Sequence, residues 1–163
     1  MSEERPKRIS IIAVHGTLDM AYPPLILAST AVAMDMEACI FFTFYGLEII
    51  KKGANLQVPP LANPAMPKPI PGLPIGVPNI IGVLPGMTAM ATGMMKGWMA
   101  KANVMPVQKM LDTCIKTGVR MIGCQMTMDV MGIKREDLID GIEIGGAGTY
   151  LDYSADADIT LSF

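Results

Sequence analysis

Few folds can accommodate residues 118–132, GVRMIGCQMTMDVMG. Val119, Met121 and Ile122 form a compact apolar run behind a glycine, and the Gly123-Cys124 step breaks that run where a buried parallel strand would end. Residues 125–131 then supply a helical turn or two, closed by Gly132 at the position where a left-handed residue is favoured. The spacing predicts a strand that delivers Cys124 to the start of a short helix. Unpaired amides and the positive end of the helix dipole favour an anion there, so the thiol is expected to lean toward thiolate, the form that attacks sulfur or carbon. The alternative is an inert cysteine packed as a small hydrophobe. The strand-end position, where open α/β sheets place their sites, favours the reactive thiol.

Earlier segments repeat the pattern. Residues 8–14, RISIIAV, are a short β-branched run ending at His15-Gly16, and residues 37–44, EACIFFTF, are another, ending at Tyr45-Gly46. Between them, Tyr22-Pro23-Pro24 is expected to open a helix through Met34, since proline fits a first helical turn, with residues 15–19 as a strand-end loop. A short helix is expected over 47–52. Right-handed crossovers make the strands parallel and bring the loops at His15 and Tyr45 to the same edge as Cys124. Downstream, the pattern predicts helices over 87–102 and 106–117, and a helix ending within 137–141. A short strand over 142–144, a helix over 147–153 and a last strand over 158–163 complete the chain. Five strands with helices on both faces make a three-layer α/β/α sandwich with a mainly parallel, flavodoxin-like sheet. Gly145, Gly146 and Gly148 do not form the dinucleotide fingerprint, which needs its glycines directly after the first strand. No cofactor is expected.

Residues 53–104 depart from this alternation. Proline recurs from Pro59 to Pro85, and residues 69–95 carry no charged side chain. The length would allow a membrane span. Pro71, Pro74, Pro78 and Pro85 argue against one, because they would leave backbone groups unsatisfied in lipid. The segment is therefore expected to lie on protein, as a loop or hairpin against a partner subunit or as a lid over the strand-end edge. On this reading the chain is a single domain, 1–163, with an insert at about 53–104. Hydrophobic residues make up 51% and charged ones 17%, and mean hydropathy is +0.40. So little polar cover predicts a homo-oligomer. A net charge of -2 leaves no electrostatic footprint for nucleic acid. The opening MSEERPKRIS has no apolar signal-peptide core behind it, which predicts a cytoplasmic protein.

Three cysteines without a C-x-x-C pair, and one histidine, fit neither a structural zinc site nor a disulfide framework, so no metal is expected. Sixteen methionines suggest a soft-metal ligand set. Methionine along one helical stripe is more simply adaptable packing. Cys114 falls in the last turn of a helix running back antiparallel to the strand that ends at Cys124. A strand of this length, at about 3.3 Å per residue, puts about 20 Å between the two, well beyond the roughly 7 Å Cα limit for a disulfide. Cys114 is thus a secondary candidate that needs contact between subunits or a local rearrangement, and Cys39, near the same pole, is expected in the core. The candidate site is Cys124, with His15, Gly16, Tyr45 and Gln125 as residues contacting the substrate. Lys96 and Lys101, on the helix after the insert, are the nearest candidates for drawing in an anionic donor, although solvated surface lysines are the favoured reading of both.

Taken together, the GTLD, FFTF-x-G and C-x-M-T-M-D-V-M-G patterns resemble the DsrE/DsrF-like family of small sulfur-relay proteins, in its longer, apolar branch with a Pro-rich insert. The resemblance covers essentially the whole chain. It implies a cytoplasmic homo-oligomer that takes sulfur onto a cysteine as a persulfide or thiosulfonate and passes it to a partner such as a TusA-like carrier. The sulfur-carrying cysteine of the family matches Cys124, and the second cysteine of this branch matches Cys114. The peroxiredoxin pattern P-x-x-x-T-x-x-C is absent, which discounts peroxidase activity. A small-ligand-binding or scaffold module of the same fold, doing no covalent chemistry, is the competing class.

Overall fold

The computed structural model describes residues 5–59 and 84–163. Most of the Pro-rich segment, and with it the expected hairpin or lid, lies outside the described residues. The chain divides into two compact units, Met1–Leu56 with Met105–Phe163, and Gln57–Val104. In chain order the elements are β1 (Arg8–Ala13), α1 (Leu18–Ala33), β2 (Glu37–Phe42), a 3-10 helix (Phe44–Ile50) and, in the second unit, α2 (Met87–Lys101). The first unit resumes with α3 (Val107–Lys116), β3 (Arg120–Cys124), α4 (Gln125–Met131), a 3-10 turn (Arg135–Asp137), β4 (Glu143–Gly145), α5 (Ala147–Ser154) and β5 (Ile159–Ser162).

The five strands form one sheet in the order β4-β3-β2-β1-β5, and every neighbouring pair is parallel. Strands β1 to β4 step outward in one direction, and the chain then returns across the sheet to place β5 beside β1. Since crossovers are right-handed, this reversal puts α5 on the face opposite α1 and α3. The expected α/β architecture with a five-stranded parallel sheet is what the chain adopts. Side-chain alternation sorts the faces. Cys39, Phe41, Ile122 and Cys124 are buried with Tyr150 of α5, and the Phe41 and Tyr150 rings stack at 5.0 Å. Ile40, Phe42 and Met121 alternate with them and point to the other face, and α1 packs on α3, β1 and β2.

Near the amino ends of the strands, register is marked by paired charges. Arg8 lies across from Glu37 and bonds it through Nε at 2.5 Å, and Arg120 holds Glu143 through two bonds of 2.8 and 2.9 Å. Both guanidiniums lie over the Tyr153 ring, 5.5 and 5.9 Å from its centroid. Pairs this exposed add little stability. A slip by one residue would turn every one of these side chains to the wrong face, so their contribution is to register.

Three stretches depart from expectation, one of them after β2, where the strand expected over 37–44 stops at Phe42 and the short helix expected over 47–52 is the 3-10 helix Phe44–Ile50. Helix α1 begins at Leu18, so Pro23 and Pro24 sit inside it rather than opening it, and the loop after β1 is confined to residues 14–17. Each proline removes an amide donor, which leaves the carbonyls of Asp19 and Met20 without their helical partners. Burial of Leu18, Ala21, Tyr22 and Leu25 offsets that loss. The helix expected to end within 137–141 is only the 3-10 turn Arg135–Asp137. There the Asp137 carboxylate accepts the Lys134 amide at 2.8 Å, a local bond that competes with helix continuation. In the second unit, α2 buries only Thr92, whose hydroxyl accepts the Val58 amide at 3.1 Å.

Candidate functional site

The site grows from the carboxyl edge of β3. Alternation along this strand turns Ile122 and Cys124 to the α5 face, and helix α4 begins with the very next residue, making Cys124 its N-cap. Gly132, at φ 66, closes the helix in the left-handed conformation. An N-cap side chain ordinarily receives the amides two and three residues on, which here belong to Met126 and Thr127. A thiol therefore occupies the place where serine or aspartate usually sits.

Strand β2 supplies the other wall. Phe42 is level with Gly123, so the next residue, Thr43, is level with Cys124 and, by alternation from Cys39 and Phe41, turned to the same face. The Thr43 and Thr127 hydroxyls lie 3.1 Å apart, and the Phe44 amide donates to Thr127 Oγ1 at 3.3 Å. Phe44 has φ 48, a conformation that a non-glycine residue adopts only when its surroundings enforce it.

These groups decide the electrostatics of the thiol. Burial pushes its pKa up, but the Thr127 hydroxyl and amide, the Thr43 hydroxyl and the Met126 amide together outweigh it, and the net shift is downward. In the structure the thiol makes no side-chain cap hydrogen bond, and these donors favour its charged form. Cys39 and Cys114 behave oppositely, because burial raises Cys39 to about 12, and raises Cys114 to about 11 against its own backbone hydrogen bond. All three cysteines are buried and free.

The remaining sequence candidates divide by position. His15 is exposed, and it follows Val14, which is level with Thr43 one strand further along. Two strand spacings of about 4.8 Å therefore separate its backbone from the level of Cys124. Tyr45 is 66% exposed and Gln125 is exposed, with Gln125 Nε2 donating to Asp129 Oδ1 at 2.7 Å. Gly16 has a steric reason to be glycine, since a Cβ there would stand 2.2 Å from the Tyr45 carbonyl oxygen. Cys114 is fully buried on α3, where its thiol meets the Leu25 carbonyl of α1 at 3.8 Å. It thus belongs to the helix layer opposite the face to which Cys124 is turned. Lys96 and Lys101 lie on α2 of the second unit. Among the described residues no group of three or more histidine, cysteine, aspartate or glutamate side chains could hold a metal ion. No helix among them is long and apolar enough to cross a membrane.

Thr43 and Thr127 were legible as letters but not as partners. Two signals point to them: Thr127 stands three residues after the N-cap, where a side chain can reach back to it, and Thr43 continues the alternation of Cys39 and Phe41.

Comparison with known proteins bears on the family and the fold. The sulfur carrier protein DsrE2 of Allochromatium vinosum is 44% identical over 155 residues, covering 95% of this chain and 97% of the relative. The uncharacterized protein YrkE of Bacillus subtilis is 28% identical, covering 97% of this chain and 98% of its own. The crystal structure of the ychN protein from E. coli aligns with a TM-score of 0.56 at 16% identity, over 96% of this chain and 99% of that one, which is a likeness of fold. Residues 5–162 match the DsrE/DsrF/DrsH-like family, and the chain belongs to it.

Proposed function

We propose that this protein is a sulfur carrier: Cys124 accepts a sulfane sulfur or thiosulfonate group, holds it at the carboxyl edge of the sheet and passes it to a partner thiol. The observation that carries the reading is the set of donors around one sulfur, the Thr43 and Thr127 hydroxyls and the Met126 and Thr127 amides, which favours the thiolate despite burial. Kinship with a relative named as a sulfur carrier supports it. In the loading step the thiolate attacks a sulfur of the donor, a new S–S bond forms and the donor's S–S bond breaks, with its electron pair leaving on the departing fragment. With tetrathionate, attack on an inner sulfur leaves a thiosulfonate on Cys124 and releases thiosulfate. The exchange is redox-neutral and needs no cofactor. His15, Gly16, Tyr45 and Gln125 line the approach in this reading, and Cys114 takes part only through a change in packing or a second subunit.

The proposed setting is a cytoplasmic homo-oligomer whose acceptor is a small carrier of the TusA-like kind. Exposed Ile26, Leu151 and Ile159 on the described surface, with low overall charge, support self-association. Light scattering at micromolar concentration should give a mass above that of the 17.5 kDa chain; a monomer would count against assembly. For the carrier reading, the protein is exposed to polysulfide or tetrathionate and its peptides are weighed. A single added sulfur or thiosulfonate on the Cys124 peptide, with the Cys39 and Cys114 peptides unchanged, is expected. No adduct would make the protein a binding or scaffold module instead.

A further inference from the structure

Sulfur relays run in two directions at each cysteine, capture and release, and the groups around a thiolate affect the two differently. Hydrogen bonds to the charged sulfur lower its basicity. Nucleophilicity then falls with a Brønsted coefficient of about 0.4 to 0.5, while the same sulfur becomes a better leaving group. The hydroxyl pair beside Cys124 is built for this. The Phe44 amide occupies a lone pair of Thr127 Oγ1 at 3.3 Å, and the 3.1 Å contact between Thr43 and Thr127 shares one of their two protons. The other proton is free for the sulfur, and when charge develops there both hydroxyls can turn toward it. No formal charge leads among the influences on the thiol. On the neighbouring elements, Glu143 is bound by Arg120, Asp129 by Gln125, and Tyr150 by Ser10, while Cys39 is deeply buried and neutral.

We propose that Thr43 and Thr127 are positioning residues that make Cys124 a better leaving group than attacking group, biasing this carrier toward handing sulfur on. The inference rests on the carrier reading above. In delivery, the acceptor's thiolate attacks the terminal sulfur of the Cys124 persulfide. The new S–S bond forms as the bond to Sγ breaks, and the electron pair departs onto Sγ, whose developing charge the two hydroxyls stabilise by donating hydrogen bonds. Nothing is oxidised or reduced overall, and the acceptor's proton has already gone to solvent.

The test needs no sulfur donor, so its failure is separate from failure of the carrier reading. Exchange of the Cys124 thiol with a small neutral disulfide, hydroxyethyl disulfide, is followed against pH by peptide mass in wild type, Thr127→Val and Thr127→Ser. Losing one hydrogen bond to a charged sulfur is worth about a factor of ten in ionisation. With the Brønsted coefficient of about 0.4 to 0.5, Thr127→Val should react about threefold slower on the acid limb and about threefold faster on the alkaline plateau. Thr127→Ser keeps the hydroxyl and should follow wild type on both limbs. Parallel slowing at every pH would mean damaged access rather than altered basicity and would overturn the proposal, as would an unchanged profile or a serine variant behaving like valine. Should Thr127→Val fail to fold, Thr43→Val is read by the same two limbs.

Discussion

Cys124→Ser is expected to abolish sulfur loading and all labelling of the native protein at mildly acidic pH, while leaving the fold intact. In wild type, iodoacetamide near pH 6 should modify Cys124 alone, because its donors hold the pKa below the ordinary thiol value, whereas burial has raised Cys39 and Cys114 to about 12 and about 11. Those two are fully buried as well as un-ionised, so they should react only after denaturation. Serine suits the vacated position. Its oxygen can accept the amide three residues on, as an N-cap normally does, and the Thr43 and Thr127 hydroxyls satisfy it where an isolated buried hydroxyl would be costly. The stability change should stay within about 1 kcal/mol. Labelling of Cys39 or Cys114 ahead of Cys124, or sulfur uptake by the serine variant, would sink the assignment.

How much of this was readable beforehand differs by element, for physical reasons. Helix α4 and its Gly132 stop were legible to the residue, because a short segment between a strand's end and a left-handed glycine has little freedom. The start of α1 was not. Pro23-Pro24 is a strong local signal for a helix beginning, and it lost to burial of Leu18, Ala21 and Tyr22, a tertiary term that local propensity does not carry. Cys124 itself could be singled out from its place between strand and helix. Its hydroxyl partners could not be weighed the same way, since Thr43 meets Thr127 across 84 positions of chain and only strand register brings them level. The separation of Cys114 was anticipated as distance along the strand, and the fold adds a second reason in the intervening sheet.

Gly46→Ala should be the most damaging small substitution near the site. The loops after β1 and β2 are interlocked through their backbones: the Gly46 amide donates to the Val14 and Thr43 carbonyls at 2.8 and 2.9 Å, and the Thr43 amide to the Ala13 carbonyl at 3.0 Å. A Cβ on Gly46 would stand 2.0 Å from the Ala13 carbonyl oxygen and 2.7 Å from its carbon. Both are backbone atoms at the end of a central strand, so no side-chain rotation can relieve the clash. The loop would have to move by about an ångström and give up those bonds. A loss of about 3 kcal/mol or more is expected, seen as a fall of roughly 10 °C in thermal midpoint for a chain of this size. Because Thr43 and Phe44 belong to the displaced loop, the Cys124 thiol should also lose part of its acid-side reactivity in whatever fraction stays folded. Gly148→Ala is the control, since it lies in α5 with nothing within 4 Å of the added carbon and should gain up to about 1 kcal/mol from helix propensity. Equal urea midpoints for Gly46→Ala and wild type would show that the two loops are not locked together, and the placement of Thr43 beside Cys124 would lose its support.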